Sequence, residues 1–437
     1  MSSRSGSGRP RAGPAGRQAT VSALLGLLGL LGLWGCASAT PPRFARLDSW
    51  PQRQDQGQSQ EHTCAGLLGR GAAPEELGFS LAEVAPGVPQ EPAALEALIA
   101  THAGAATEAV ALAETPAAAE ELDPKRLVGV PRCNGIARAW LWHEAGTGRL
   151  KGLWPGANVR IGLGRAEALF AQGRFPEARA ALAAARKAPA GLHQAPLFEL
   201  AIAESYARQE REEEARLVLG VVLGRHPSNA DAWAELAALA RRVGRRSEGA
   251  GHLVRALALE PGSPRLWDAL RGDFFVSIEP AVLPPAQPAD GDPSASRWQR
   301  VLDGADPAAA AAPESEALAY ARCKSAFRQS PELRQAITGQ AEPRWLWSPA
   351  EETVCTRLWL ARYRENRDAG QRPPHPRLEA LLEVELRGQL AERALFDVGG
   401  QVHRHLSAFL DRGRRERLFQ FVENERLGRR QGGGWLF

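Results

Sequence analysis

Between residues 159 and 267, apolar and small residues recur at helical spacing, and the whole pattern then returns on itself. With the chain slid by 34 positions, Ile202 falls on Leu236 and then Leu270, and Ala203 falls on Ala237. Leu219 falls on Leu253, Val222 on Ala256, Pro227 on Pro261 and Trp233 on Trp267. An earlier copy aligns at an offset of 37, matching Ala166 to Ala203, Leu169 to Tyr206, Ala178 to Ala215 and Leu182 to Leu219. Three extra residues in the 189–196 loop account for the difference. The pattern predicts paired helices, with Ala203, Ala215, Ala237, Gly249 and Ala256 allowing close approach and Leu219, Leu236 and Leu253 filling the seam. Pro227 and Pro261 lack the amide that a continuing helix needs, so each is expected to end one.

The flanks are helical in a less regular way. Residues 64–158 read as an N-terminal helical flank broken by Pro and Gly, with helices at 92–102 and 107–113. Residues 138–144, carrying Trp140, Leu141 and Trp142, are expected to be helical and to pack on the first repeat. Beyond the repeats (159–276), Pro280, Pro284, Pro285, Pro288 and Pro293 mark a Pro/Ala-rich linker over 277–313. Helical periodicity returns at 314–328, 349–366, 376–396 and 402–425, which predicts a C-terminal helical domain over 314–427. Residues 428–437 read as a flexible tail.

A 34-residue helical period with small residues at fixed places and a closing proline resembles the tetratricopeptide repeat. The resemblance covers about a quarter of the chain. Two positions depart from it: Arg271 stands where a small residue is expected, and Ala190 where the proline would be. About three repeats and a degenerate fourth are therefore expected. The fold class implied is all-α, a short solenoid with helical N- and C-terminal flanks. In such arrays the first helix of each repeat lines a concave face that takes an extended or helical peptide. Carried onto this chain, that face comprises Arg160 and Glu167; Leu197, Leu200, Glu204 and Arg208; and Asp231, Glu235, Arg241 and Arg242. The Lys/Asn set with which some family members clamp a peptide carboxylate is missing from these positions.

The first 39 residues carry an export signal. Arg4, Arg9, Arg11 and Arg17 precede an apolar run of 14 residues, 21–34, too short to span a membrane. The residues Leu33, Trp34, Gly35 and Cys36 resemble a bacterial lipobox, which implies a lipidated Cys36 at the mature N-terminus. Cleavage after Ala39, which would discard Cys36, stays open, as does an uncleaved anchor. Residues 40–63, with five alternating glutamines, form a disordered tether. About 25 such residues reach roughly 25–30 Å.

Removing the signal changes the charge balance. The chain has 54 basic and 50 acidic residues, and four of the arginines lie in the signal, leaving 50 against 50. Nothing in that balance points to nucleic acid. Thirteen acids against two arginines between Asp48 and Asp123 give the N-terminal flank an acidic face. Abundant Ala, Gly, Pro and Arg matches a GC-rich genome and is no anion-binding signal by itself.

Little chemistry is written in motifs. Apart from Cys36, the cysteines are Cys64, Cys133, Cys323 and Cys355, an even number in an exported chain. Pairs within each flank, Cys64 with Cys133 and Cys323 with Cys355, are favoured over the other connectivities, beside free thiols as the alternative. His403 and His405 are two apart, which separates them on a helix, and they read as a surface pair. His143 and Glu144 begin a metalloprotease-like motif that Thr147 breaks. Gly162 and Gly164 are not followed by a third glycine and lie on a repeat helix. Glu351 and Glu352 are adjacent, so on a helix they are expected to diverge. No cofactor, metal site or catalytic residue is indicated.

The expectation is thus an exported, membrane-anchored binding protein of the bacterial envelope, with a protein or peptide partner. It resembles the tetratricopeptide lipoproteins that help assemble outer-membrane proteins or pilus secretins, which is a likeness of architecture. Two other readings stay open. One is a cell-wall-acting enzyme with a hydrolase in the C-terminal domain; the other is a structural surface protein without a specific ligand.

Overall fold

Gly71 and Gly78, both left-handed at φ 89°, bracket the first structured segment. Such a backbone costs glycine little and other residues more, so each marks a turn. Gly71 ends helix α1 (Cys64–Arg70), and Gly78 closes a short 3-10 turn (Pro74–Leu77). Helix α2 (Pro92–His102) follows and buries Leu95 and Ile99. The computed structural model describes residues 64–102, 141–144, 147–152, 157–187, 195–274, 313–342, 344–400 and 403–426. The segments read from the sequence as an export signal with Cys36, a tether, a helix at 107–113, most of a Pro/Ala-rich linker and a tail lie outside them, as does Cys133.

The described residues are mostly helical, with one exception to an all-α fold. The helix expected at 138–144 is corrected by an antiparallel hairpin, β1 (Leu141–Glu144) with β2 (Arg149–Gly152). Gly148, at φ 64°, supplies the turn. Leu150 also exchanges two backbone hydrogen bonds of 2.8 Å with Ala72. Those bonds and the burial of Leu141, Trp142 and Leu150 favour the extended chain over a helix.

Three helical hairpins come next: α3 (Ala157–Ala171) with α4 (Phe175–Arg186), α5 (Leu197–Ala207) with α6 (Glu212–Arg225), and α7 (Ala230–Arg242) with α8 (Arg246–Leu259). A single helix, α9 (Pro264–Phe274), packs on α8, and each helix contacts the next in the series. The sequence offset reappears in the backbone. Within each hairpin the turn holds a left-handed residue, Gly173, Glu210 or Gly244, at φ 74°, 57° and 78°. The next residue is Arg174, Arg211 or Arg245, each with ψ between 59° and 67°. Its amide bonds the carbonyl five residues back, at Leu169, Tyr206 and Ala240.

The between-hairpin turns repeat as well. Helices α6 and α8 end at His226 and Glu260, which share ψ near 66°, and Pro227 and Pro261 follow. The indole of Trp233 donates to Pro227 O at 3.2 Å, and that of Trp267 to Pro261 O at 2.7 Å. Ala203, Ala215, Ala237, Gly249 and Ala256 are all buried. A Cβ at Gly249 would lie 2.6 Å from Phe274 Cε1 and 3.0 Å from Ala237 O, so the small residue there sets the approach of neighbouring helices.

In the C-terminal part, α10 (Pro313–Gln329) and α12 (Pro349–Asp368) pack together across α11 (Pro331–Thr338). Ser330 and Ser348 cap α11 and α12 by accepting bonds from Leu333 N and Glu351 N. The disulfide Cys323–Cys355, with Cα atoms 5.4 Å apart, joins α10 to α12 as the sequence suggests. The helix expected over 376–396 is interrupted: α13 (Pro376–Leu386) stops at left-handed Gly388, and α14 (Leu390–Arg393) continues as a π-helix over Ala394–Gly399. The helix expected over 402–425 starts only at α15 (Arg412–Phe421), where the Asp411 side chain accepts from Arg414 N. A 3-10 turn, Leu406–Phe409, precedes it.

One hydrophobic core joins the N-terminal flank, the last repeat and the C-terminal helices, through Phe79, Leu95, Leu253, Leu270, Phe327, Trp359, Phe396 and Phe421. Polar contacts reinforce it: Ser407 Oγ donates to Leu259 O at 2.7 Å, and Arg404 pairs with Glu260 at 2.7 Å. The first hairpin shares a second core with α1 and the β-hairpin, and α5, α6 and α7 share a smaller third one.

Candidate binding face

The first helices of the hairpins are joined side by side by polar contacts. Arg242 Nη1 donates to Ala207 O at 2.9 Å, linking α7 to α5. Asp231 pairs with Arg265 at 2.9 Å and Arg241 with Asp273 at 3.5 Å, linking α7 to α9. These contacts arise because positions one repeat apart in sequence face each other across neighbouring helices.

Of the residues expected to line this face, Arg160, Arg208, Arg241 and Arg242 are exposed. Glu167, Leu200, Glu204, Asp231 and Glu235 are half-buried. Leu197, expected to point outward, is buried at the start of α5. Leu200 packs against the third core rather than standing free. Glu204 pairs with Arg208 at 3.3 Å, and the Arg208 guanidinium lies 5.9 Å from the Phe170 ring. Arginine thus dominates the exposed positions, with carboxylates set lower between them. Such a face offers hydrogen bonds and charge, and none of its residues pairs a nucleophile with a base.

The sequence reading misses Glu199, in the first turn of α5. Its carboxylate is nearly buried and receives Arg186 from α4 at 2.7 Å and Arg225 from α6 at 3.3 Å. It ties three successive helices together.

Glu351 and Glu352 are adjacent yet share a partner: both are fully buried in the first turn of α12, and Lys324 of α10 reaches both, at 2.5 and 3.4 Å. Glu351 also accepts from the Trp345 indole at 2.9 Å. Glu352 accepts from Tyr320 at 2.8 Å and from Arg393 at 3.0 Å. Burial alone would raise the Glu352 carboxyl, but Lys324, Arg393 and the Tyr320 hydroxyl outweigh it and hold it below its ordinary value. Tyr320 is pushed well up, by burial first and by the Glu352 charge second. The cluster is enclosed and internally paired, which suits a brace between α10, α12 and α14 rather than a reaction centre.

His403 and His405, read as a surface pair, are both buried. The His403 ring stacks 5.1 Å from Phe79 and 5.7 Å from Trp347, so neighbours remote in sequence cover it. His143 and Glu144 lie on β1 rather than on a helix; His143 meets Phe409 edge-on, and burial lowers its pKa. Gly162 serves packing, since a Cβ there would lie 2.8 Å from that of Ala185. Among the described residues no group of three His, Cys, Asp or Glu side chains could hold a metal ion. No helix among them is long and apolar enough to cross a membrane.

No family model, curated protein or solved structure matches the chain.

Proposed function

We propose that the chain is a tetratricopeptide-type binding protein whose first repeat helices present an arginine-rich polar face to a protein or peptide partner. The observation that carries this reading is the recurrence of one hairpin turn at the sequence offsets of 37 and 34, joined at the offset of 34 by the Trp–Pro hydrogen bond. Stacking of such units supports a short solenoid, because each hairpin buries only part of its apolar surface alone. The export signal and Cys36 in the sequence support a lipid-anchored protein of the bacterial envelope, acting there as a scaffold or assembly adaptor.

The test is crosslinking of the full-length protein in its native envelope. Glu235→Lys, Arg241→Glu and Arg242→Glu combined are expected to deplete the captured partners while the melting temperature shows a folded chain. Recovery of the same partners from the triple variant would remove the basis of the reading. Metabolic labelling with a fatty-acid probe addresses the anchor, and a Cys36 that takes no label would overturn it.

A further inference from the structure

Helix α6 presents an apolar ridge to solvent. Leu217 is 69% exposed and Val221 48% exposed, and the two are four apart on one helix face. The same row of every fourth residue runs on to Glu213 on one side and Arg225 on the other, so the ridge reads Glu, Leu, Val, Arg. Gly220 and Gly224 lie beside it; both are exposed, and a Cβ at either would meet nothing within 4 Å. Singly exposed apolar residues are ordinary, whereas an adjoining pair with open grooves alongside has the shape that receives another helix.

The next repeat shows what this face receives. Advancing by 34 carries Gly220 to Val254 and Gly224 to Ala258 of α8, both buried. It carries Val221 to Arg255, whose guanidinium lies 5.6 Å from the Phe419 ring of α15 and 3.8 Å from Glu423, in the segment that continues α15. On the third hairpin, then, the face is covered by α15, which packs on α8. On the second hairpin the equivalent face is bare.

The charges decide which helix fits it. Helix α6 is acidic in its first turn and ends on Arg225, which makes it complementary to an antiparallel copy of itself. A two-fold axis at the level of Leu219, midway between Leu217 and Val221, sets Leu217 of one copy against Val221 of the other and Glu213 against Arg225. Each contact then occurs twice, as an isologous interface requires. Glu213 and Arg225 have partners within the chain, Arg216 at 2.9 Å and Glu199 at 3.3 Å, and their side chains are still 68% and 56% exposed. Both therefore stand within reach of a second copy.

We infer that the chain forms a two-fold dimer through α6, the second copy covering on the second hairpin the face that α15 covers on the third. The contact uses a second helix of the array, so it is independent of the arginine-rich face on the first helices: either can fail without the other.

The experiment is sedimentation equilibrium of the full chain in a nonionic detergent over micromolar concentrations. One ridge per copy makes a small interface, so monomer and dimer are expected to exchange across that range. Leu217→Glu is expected to weaken dimerisation by more than about tenfold, since the leucine is covered in both copies. Glu213→Arg and Arg225→Glu are each expected to weaken it about fivefold, by setting like charges together at both contacts. Mixing these two variants puts opposite charges back at both contacts and is expected to return association to the level of the unaltered chain. Melting temperatures show that each variant is folded. The inference is overturned if the unaltered chain stays monomeric throughout, or if the dimer survives Leu217→Glu unchanged. It is equally overturned if the mixed variants associate no better than either alone.

Discussion

Asp231 and Arg265 stand 34 positions apart in the chain and 2.9 Å apart in space. The sequence offset is therefore also a spatial neighbour relation: advancing by one repeat moves from one first helix to the helix beside it. Both side chains are partly exposed, so the pair contributes at most about 1 kcal/mol and marks register more than it supplies stability. The core beneath it does the larger share.

Gly249 tests that core. A methyl group there would meet Phe274 at 2.6 Å and the Ala237 carbonyl at 3.0 Å. Gly249→Ala is expected to destabilise by about 1–3 kcal/mol despite the better helix propensity of alanine. Gly251→Ala, two residues on and facing open space, is expected to stabilise by up to about 1 kcal/mol. Equilibrium urea unfolding of both variants measures the contrast, and equal effects would contradict this packing of α8 against α7 and α9.

Glu210 offers the opposite test. It occupies the left-handed position that Gly173 and Gly244 fill in the flanking hairpins. The strain there is about 1–2 kcal/mol for a residue with a Cβ. Glu210→Gly is expected to raise the stability by up to about 1 kcal/mol once the added freedom of the unfolded chain is counted. A lower melting temperature would mean that the turn is built differently.

The buried cluster makes a pH-dependent contribution. Because the folded Glu352 carboxyl titrates below its ordinary value of 4.5, the stability it contributes is present above that pH. It is lost as the pH falls through the folded value. Glu352→Gln leaves Lys324 and Arg393 with less compensation and is expected to cost about 3 kcal/mol at neutral pH. Its stability should also fall less steeply between pH 5 and acid, so unfolding of both proteins across that range is the measurement.

The Cys323–Cys355 bridge closes a loop over a sequence separation of 32. Removing it as Cys323→Ala with Cys355→Ala is expected to cost about 3–4 kcal/mol, mainly by freeing the unfolded chain. Non-reducing peptide mapping should find the two cysteines joined. Both being open to alkylation in the native protein would contradict the bridge.

Helix α2, α10 and α12 are legible in the sequence because each begins at a proline and then runs without an interior glycine or proline. The repeat is legible for a related reason: its constraints recur at Ala, Leu, Pro and Trp positions that tolerate few substitutes. The β-hairpin is not, since four-residue strands are too short to show alternation and Leu150 depends on Ala72 for its pairing. The Glu351–Glu352 cluster draws its partners from Tyr320, Lys324 and Arg393, so no local spacing could announce it. Burial of His403 comes from Phe79, more than three hundred residues earlier. The interruptions at Gly388 and Asp411 carry local signals, a glycine stop and an N-cap aspartate, that compete with the helical periodicity around them.

We propose that the first helices of the hairpins carry a partner. A photo-reactive amino acid placed singly at Arg160, Arg208 or Arg241, all exposed on that face, and at Leu217 on α6 as a control, tests it in intact cells. Crosslinks to a common partner from the three face positions, and none to it from Leu217, are the expected result. Equal labelling of that partner from Leu217, or no crosslink from any face position, would contradict it.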